Sequence, residues 1–266
     1  MPLSHLEPRV IKRFNFVGLW TLVKREAGRF LTIYTQTIVA PVVTTLLFYA
    51  VFALAFGGVA REVAGVPFLR FLAPGLIMMT MVQNAFANSS SSIMIAKIQG
   101  SIVDVLMPPL SNFELMSGYI IGSTFRGLVV GLVTGIVMNF FVPLEIVSFG
   151  IIFVYAFLGN MMLGALGMAA GIWSEKFDHI AAVTNFIVTP MTFLSGTFYA
   201  MESLPPVWQN LASYNPFFYM IDGFRSGFIG DADGLPYFGA ALLVGVNLFL
   251  LGAIWVMLRS GYKIKS

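Results

Sequence analysis

Long uncharged stretches of hydrophobic residues dominate the pattern along the chain. Five stretches contain no Asp, Glu, Lys or Arg, and a sixth is interrupted only by Arg126. A helix needs roughly 20 apolar residues to cross a bilayer core, so each stretch is long enough to span. The stretches far exceed a barrel strand and do not alternate with period two, which favours helices. The pattern predicts six transmembrane helices, at about residues 31–57, 71–95, 115–142, 149–173, 180–200 and 236–258.

Composition indicates the same class of protein. Hydrophobic residues make up 58% of the 266 residues and charged residues only 10%, whereas a soluble domain carries about a quarter charged residues. The absence of cysteine excludes a disulfide scaffold, a thiolate zinc site and Cys-based catalysis. A net charge of +3 is too small to indicate a nucleic-acid partner. We therefore expect an all-α integral membrane protein with one transmembrane domain over residues 31–260.

The positions of Lys and Arg predict which side of the membrane each loop occupies. If both termini are cytoplasmic, eleven of the fifteen basic residues fall inside, three fall outside, and Arg126 lies within a span. This bias favours cytoplasmic termini, because basic residues are enriched in cytoplasmic loops. In a Gram-negative cell the membrane would be the inner membrane. The first apolar stretch is too long for the h-region of a signal peptide, so we expect the segment before it to be retained.

The segment before the first span is predicted to contain an amphipathic helix within residues 14–30. Apolar residues recur there at spacings of three and four, and the basic residues lie elsewhere on the helix. Such a helix lies in the plane of the cytoplasmic interface, near anionic lipid headgroups. We expect residues 1–30 to form a cytoplasmic tail and this interfacial helix, which either anchors the chain or also braces a cytoplasmic partner. Its apolar positions are Phe16, Trp20, Val23, Ala27 and Phe30.

The loop after the second span is predicted to contain a short helix that Pro108 ends, since proline disfavours helix in the residue before it. Its apolar residues include Leu106 and Met107, in a loop that the charge bias places in the cytoplasm. Exposed apolar groups in such a position often mark a contact with another protein. An ordinary cytoplasmic turn that packs against the ends of the helices it connects would give the same pattern.

Two further short helices are predicted between the fifth and sixth spans. Pro205 and Pro206 fit the first turn of one helix, and Asn215-Pro216 breaks the chain and starts the other. Each helix is too short to cross the membrane. We therefore expect a re-entrant helical hairpin that enters the membrane from outside.

Two of the predicted spans carry polar side chains at helical spacing. Polar groups in lipid face other helices or a wet cavity, so helix–helix hydrogen bonding and a substrate path are both open interpretations. No other predicted span contains an acid that could pair with Arg126, so its guanidinium would need backbone carbonyls or water as partners. Pro190 could kink the fifth span. The polar positions are Thr80, Gln83, Asn84, Asn88 and Ser91 in the second span, and Asn185, Thr189 and Thr192 in the fifth.

The sequence offers little for catalysis or for energy coupling. It contains no Gly-x-x-x-x-Gly-Lys-Ser/Thr motif, so the chain cannot hydrolyse a nucleotide through a P-loop. The predicted spans contain no Asp or Glu, the residues that ion-driven carriers usually bury. We expect no metal site and no catalytic residue, and energy for any transport would come from another polypeptide. A secondary carrier, a channel, and a six-span membrane enzyme or scaffold are the alternatives.

Several motifs resemble the ABC-2 type permease subunits of ATP-binding-cassette exporters, over nearly the full chain. The most specific are Leu194-Ser195-Gly196-Thr197-Phe198-Tyr199, Leu204-Pro205-Pro206, Asn215-Pro216 and Gly223-Phe224-Arg225. Ile98-Gln99 departs from the family, whose members often carry a basic residue there. The likeness is strongest to small bacterial permeases of the drug-exporter-like branch. Residues similar to the family's coupling-helix region are Gly100, Asp104, Leu106, Pro109, Ser111, Glu114 and Gly118.

The resemblance implies a transporter of two such chains and two copies of a separate ATPase subunit, which binds the ATP. The chain itself would need no cofactor and would carry a small or amphipathic substrate. In a symmetric pair the polar stripes are the best candidates for the path, at Gln83, Asn84, Asn88, Asn185, Thr189 and Thr192. The expected contacts with the ATPase are Lys97, Gly100, Asp104, Leu106, Met107, Pro109 and Glu114. The extracellular re-entrant helices would include Pro205, Pro206, Asn215, Pro216 and Arg225.

Overall fold

The structure, a computed structural model, describes residues 14–56, 62–63, 65–230 and 236–263, so the predicted tail before residue 14 lies outside the described residues. Helices dominate the described chain, beside one short antiparallel pair of strands, β1 (Glu62–Val63) and β2 (Val66–Pro67). The helices are α1 (Phe16–Thr32), α2 (Ala40–Phe56), α3 (Phe68–Ile98), α4 (Ile102–Leu106), α5 (Asn112–Asn139), α6 (Phe149–Trp173), α7 (Phe177–Val183), α8 (Thr189–Phe193), α9 (Pro206–Ser213), α10 (Pro216–Ile229) and α11 (Pro236–Ser260).

Four helical segments in the described part of the chain are long and apolar enough to cross a membrane. They coincide with four of the six predicted spans, while span 71–95 corresponds to α3 and span 180–200 to the interrupted segment that contains α7 and α8. The predicted all-α membrane class is therefore confirmed, and the count of six spans stays a prediction. The four segments are Thr35–Phe56, Asn112–Asn139, Phe149–Trp173 and Tyr237–Ser260.

Helix α3 lies at the centre of the bundle and contacts α2, α5, α6 and α10. Lipid is as apolar as the side chains it surrounds, so such helices associate through close packing and hydrogen bonds rather than through the hydrophobic effect. The contact between α3 and α6 shows this at Gly167, where an added Cβ would lie 2.4 Å from the backbone oxygen of Phe86. A residue without a side chain is needed for the two backbones to come this close.

Two single turns of π-helix, Thr35–Val39 and Thr184–Val188, each lie just before a proline. Pro41 and Pro190 have no N–H to donate, and the proline ring crowds the carbonyl four residues earlier. In a π turn the hydrogen bonds run to the carbonyl five residues earlier, which shifts the bonding pattern around that position. The distortion expected at Pro190 is therefore present as a local change of helix type.

Helix α1 is present where an amphipathic helix was predicted, but a different face packs against the protein. Leu22, Glu26 and Phe30 are buried, and α1 contacts α5. Phe16 and Trp20, which belong to the predicted apolar face, are largely exposed and available to lipid. Spacing alone identified the helix, but the face that meets α5 has a carboxylate at its centre.

Helices α9 and α10 occupy the region predicted to be a re-entrant hairpin. The side-chain oxygen of Asn215 accepts a hydrogen bond of 3.0 Å from the N–H of Phe217 and so caps α10. Helix α10 is buried against α6, α11 and α3, whereas Val207 and Trp208 of α9 are exposed. The two short helices are confirmed, and their entry into the membrane from outside stays a prediction.

Candidate functional site

The loop between α3 and α5, predicted to be the coupling region, folds around the short helix α4. Gly100 lies beyond the end of α3 with φ at +71°, a left-handed conformation that favours glycine. Val105 is buried under the helix, while Val103, Leu106 and Met107 are exposed, Met107 to 76%. Helix α4 is therefore anchored by Val105 on one side and exposes apolar side chains on the other.

Glu114 holds the far end of this loop in place. One carboxylate oxygen accepts hydrogen bonds from the N–H and hydroxyl of Ser111, at 2.6 and 2.8 Å, as part of a capping box at the start of α5. The other oxygen accepts from the N–H of Asn15, whose side chain donates to the carbonyl of Pro109 at 3.3 Å. The start of α1 is thereby fastened to the loop. Glu114 is buried, so it positions the loop and does not itself present a surface.

Lys97 holds the near end of the loop against the last turn of α6. Its ammonium donates to the carbonyls of Ile172 and Ser174 at 2.8 and 2.5 Å, where the helix dipole favours a cation. Beside it, Lys263 donates to Glu175 at 2.7 Å. This contact holds the pKa of the Glu175 carboxyl below its usual value and raises the pKa of Lys263.

The seven residues expected to contact an ATPase therefore divide into two groups. Lys97 and Glu114 bind the loop to α6, α5 and α1 through the hydrogen bonds described above. The exposed members, which another protein could touch, are Gly100, Asp104, Leu106, Met107 and Pro109.

The polar stripe on α3 faces α1 and α5 of the same chain. Arg126 donates to the side-chain oxygen of Asn84 at 2.9 Å, so its partner is an amide rather than the expected backbone carbonyl or water. Arg29 donates to the side-chain and backbone oxygens of Asn88, at 3.0 and 2.7 Å. We call this group the α1–α3–α5 polar cluster; its members are Glu26, Arg29, Asn84, Asn88, Ser92 and Arg126.

Glu26 is one of three members of this cluster that the sequence analysis missed, the others being Arg29 and Ser92. Its side chain is fully buried, although its helix was expected to lie on the membrane surface. It accepts hydrogen bonds from Ser92 at 2.8 Å and from Arg25 and Arg29 at 3.1 and 3.3 Å. Two features of the sequence could have indicated its burial. Glu26 lies four residues after Leu22, on the same face of the helix, and Arg29 follows three residues later, where it can pair with the carboxylate.

The polar stripe of the fifth predicted span has a different environment. Asn185 is exposed, Thr189 is half-buried, and Thr192 is buried with its hydroxyl bonded to the carbonyl of Thr189 at 2.7 Å. Within the part of the chain that the structure describes, no hydrogen bond joins this stripe to the one on α3. The two stripes are therefore separate features of a single chain; Asn185 of the fifth-span stripe is exposed, whereas Gln83 and Ser91 of the α3 stripe are half-buried.

Arg225 connects two of the motifs that carry the family resemblance. Its side chain is 1% exposed and donates to the carbonyls of Phe71 at 3.1 Å and Gly196 at 2.7 Å. The guanidinium carbon also lies 3.7 Å from the centroid of the Phe71 ring, a cation–π contact. Gly196 has φ at +73°, which favours glycine in this turn. Arg225, predicted to lie in an extracellular hairpin, thus joins α10 to the start of α3 inside the bundle.

Residues 17–229, from α1 to the end of α10, match the family described as ABC-2 type transporter. The chain belongs to the ABC-2 type transporter family. This ABC-2 chain is 35% identical over 253 residues to the inner membrane transport permease YadH of Escherichia coli (strain K12), covering 94% of this chain and 98% of that protein. Nodulation protein J of Rhizobium leguminosarum bv. viciae is 23% identical over 192 residues, 71% of this chain and 72% of that protein. The resemblance inferred from the motifs is confirmed.

Family membership makes this ABC-2 protein a membrane permease of an ABC transporter, a class that pairs with an ABC ATPase subunit. The matched region includes α4 and the residues that hold it, as well as the contacts of Arg225. The arrangement is a loop with exposed apolar side chains that hydrogen bonds tie to three helices of the bundle. Among the described residues, no three of the types His, Cys, Asp and Glu lie together as metal ligands.

The α1–α3–α5 polar cluster generates a prediction for Glu26. Replacing Glu26 with Ala should lower the free energy of unfolding by about 2–3 kcal/mol, because three hydrogen bonds to a buried carboxylate are lost and Arg29 loses its counter-charge. Unfolding in mixed detergent micelles measures this loss, and faster proteolysis within α1 should accompany it. The matched control is Glu145→Ala, which removes an exposed ion pair and should cost less than about 1 kcal/mol. Equal losses for the two variants would contradict a stabilising role for the cluster.

Proposed function

We propose that this ABC-2 protein is the permease subunit of an ATP-driven exporter in a bacterial inner membrane. The working complex contains two copies of the chain, with six spans each and cytoplasmic termini, and two copies of a separate ATPase subunit. The E. coli relative, named an inner membrane transport permease and matched over almost its whole length, supports the location and the transport role. The export direction rests on the resemblance to exporters of this family.

The observation that carries the proposal is the anchored loop around α4. Leu106 and Met107 are exposed on this loop, and a soluble partner would cover them. A force applied to α4 would pass to α5 through the capping box at Ser111, to α6 through Lys97 and to α1 through Asn15. The loop is therefore suited to transmit a movement of the ATPase into the membrane helices.

The first test is whether transport requires the ATPase. The sequence contains no P-loop motif, so the purified chain alone in liposomes should show no ATP-dependent transport of amphipathic dyes. Adding the partner ATPase should restore transport, and an ATPase variant that cannot hydrolyse ATP should not. Transport by the chain alone down a solute or ion gradient would indicate a secondary carrier or channel and would reject the proposal.

The loop around α4 gives a second test. The double variant Leu106→Asp, Met107→Asp should capture the ATPase at least about tenfold less well in a pull-down, because charges replace apolar groups at the proposed contact. Membrane insertion should be unchanged, since both side chains are exposed. The control is Val207→Asp, Trp208→Asp, which alters an equally exposed apolar pair on α9, on the side we assign to the exterior. Undiminished capture by the loop variant would refute this contact.

We propose that the transport path lies between the two copies and that Asn185 and Thr189 of the fifth-span stripe line it, with Thr192 buried behind them. An amide such as Asn185 on the surface of a membrane helix is costly when it faces lipid, so a second copy or a wet cavity is its favourable environment. Phe186, Phe193 and Met191 are exposed near it. Apolar walls with a few polar groups suit a small or amphipathic substrate. The polar residues of α3 lie behind the fifth-span stripe in this proposal and do not line the path; they are Gln83, Asn84 and Asn88. Asn84 and Asn88 belong to the α1–α3–α5 polar cluster.

Single cysteines test this path, because the chain has no native cysteine. Cysteines at Asn185 and Thr189 should react with a membrane-impermeant thiol reagent at rates that differ severalfold between the nucleotide-free complex and the ATP-trapped complex. Cysteines at Asn84 and Thr192 should stay protected in both, since both positions are buried within one chain. If all four remain unreactive while a cysteine in the α4 loop reacts, the path lies elsewhere.

A further inference from the structure

An apolar groove of about 530 Å³ opens between α5 and α6, with α3 and α10 behind it. Its volume falls within the range of roughly 300–1,000 Å³ that small-molecule sites occupy. Gly135 leaves room on the α5 wall, and apolar side chains form almost all of the lining, with Asn139 at one end. Large exposed residues border the groove, among them Leu132, Ile136 and Phe140 of α5 and Phe149 and Phe153 of α6.

The groove covers about half of the membrane thickness. Its lining on α5 and the residue just after it runs from Leu128 to Phe140, a separation of twelve positions, which corresponds to about 18 Å at the rise of an α-helix. The hydrocarbon core of a bilayer is roughly 30 Å thick, so this depth approximates one leaflet. The groove ends at the α5–α6 connection, which the positive-inside bias places outside. It therefore faces the acyl chains of the outer leaflet.

A charged pair stands at the outer end of the groove. Arg70 at the start of α3 donates to Glu145 in the α5–α6 connection. Both residues line a smaller recess of about 90 Å³, which shares Leu144 and Phe228 with the large groove. Arg70 is partly exposed and Glu145 mostly exposed, so a molecule in the groove can reach both. The site thus combines an apolar groove with one cationic and one anionic side chain at the depth of the lipid headgroups.

We propose that this groove binds one outer-leaflet phospholipid with a zwitterionic ethanolamine headgroup. One acyl chain lies along α5 and α6, the phosphate accepts hydrogen bonds from the Arg70 guanidinium, and the ammonium lies against Glu145. Arginine presents five N–H donors in a planar fork that matches phosphate geometry, so it can bind phosphate while it stays near Glu145. The paired charges favour a headgroup that carries both signs over one that is only anionic.

An acyl chain fits this groove better than a protein segment does. Asn139 is the one polar side chain in the lining, so a polypeptide backbone entering the groove would leave most of its N–H and C=O groups unsatisfied. An acyl chain has no such groups and fills the space between the bordering phenyl rings through van der Waals contact. The site is separate from the α4 loop and from the fifth-span stripe, so its occupancy does not depend on the proposed transport path.

The experiment uses full-length protein with phosphatidylethanolamine that carries a photoreactive diazirine near the end of one acyl chain. Crosslinked peptides from α5 and α6 should dominate after illumination in liposomes. Native mass spectrometry of the detergent-solubilised protein should show one retained phosphatidylethanolamine per chain. Crosslinks spread evenly over the exposed faces of α2 and α11, with no retained lipid, would overturn the proposal.

Two glycine variants test the groove itself. Gly135→Leu fills it, since an added Cβ there meets only the tip of Ile77, at 4.0 Å. This variant should lose the α5–α6 crosslinks and the retained lipid. The matched control is Gly252→Leu on α11, where an added Cβ meets nothing within 4 Å, and it should retain both signals. If Gly135→Leu instead changes the ratio of dimer to monomer and leaves the lipid signal intact, the groove is covered by a second copy and the proposal is wrong.

Two charge variants test the headgroup assignment. Arg70→Gln should weaken lipid retention about tenfold, the order of magnitude of one charge-assisted hydrogen bond. Glu145→Gln should abolish the preference for phosphatidylethanolamine over phosphatidylglycerol in a competition between the two lipids. Retention that neither variant changes, with no headgroup preference in the unmodified protein, would show that the groove takes any acyl chain and would refute the headgroup assignment.

Discussion

Every polar side chain that α3 carries into the membrane must find its partner within protein, because lipid offers none. This constraint arranges the half of the bundle that carries the α4 loop. Asn84 meets Arg126 of α5, Asn88 meets Arg29 of α1, and Ser92 meets Glu26. Hydrogen bonds therefore hold α1, α3 and α5 together at a place where the hydrophobic effect contributes little. The α4 loop, which lies at the same end of these helices, is attached to a unit that the polar contacts make stiff.

The helices and the family could be predicted from the sequence, because both depend on local information. Uncharged runs of about 25 residues indicate spans, and motifs such as Leu194-Ser195-Gly196 are read directly. Ser111 and Glu114 were named only through the family resemblance; that they form a capping box and that Glu114 also holds the start of α1 became evident from the structure. Periodicity found α1 and its apolar face but not the buried position of Glu26, since one of its hydrogen-bonding partners, Ser92, lies 66 positions away in the sequence.

Long-range pairing accounts for the other differences as well. Arg225 was assigned to an extracellular hairpin because it lies between prolines and the last span, yet its partners, Phe71 and Gly196, belong to other parts of the bundle. Lys97 was expected to contact an ATPase, which stays a prediction, and the structure adds that its ammonium donates to the carbonyls of Ile172 and Ser174 at the end of α6. For a charged residue in an amphipathic or loop segment, the local sequence does not show whether its side chain interacts with water, with lipid or with a distant part of the backbone. Only the three-dimensional arrangement distinguishes these cases.

The buried carboxylate of α1 has a consequence for biogenesis. The ribosome produces α1 before α3 and α5, so when this helix emerges its hydrogen-bonding partners, Ser92 and Asn88 among them, have not been synthesised. During that interval Glu26 must remain hydrated at the membrane surface, where the basic neighbours of α1 can hold the helix against anionic headgroups. Docking of α1 onto these partners can therefore follow only after α3 and α5 have been synthesised. The earliest segment of the described chain to be translated is thus among the last to reach its final position.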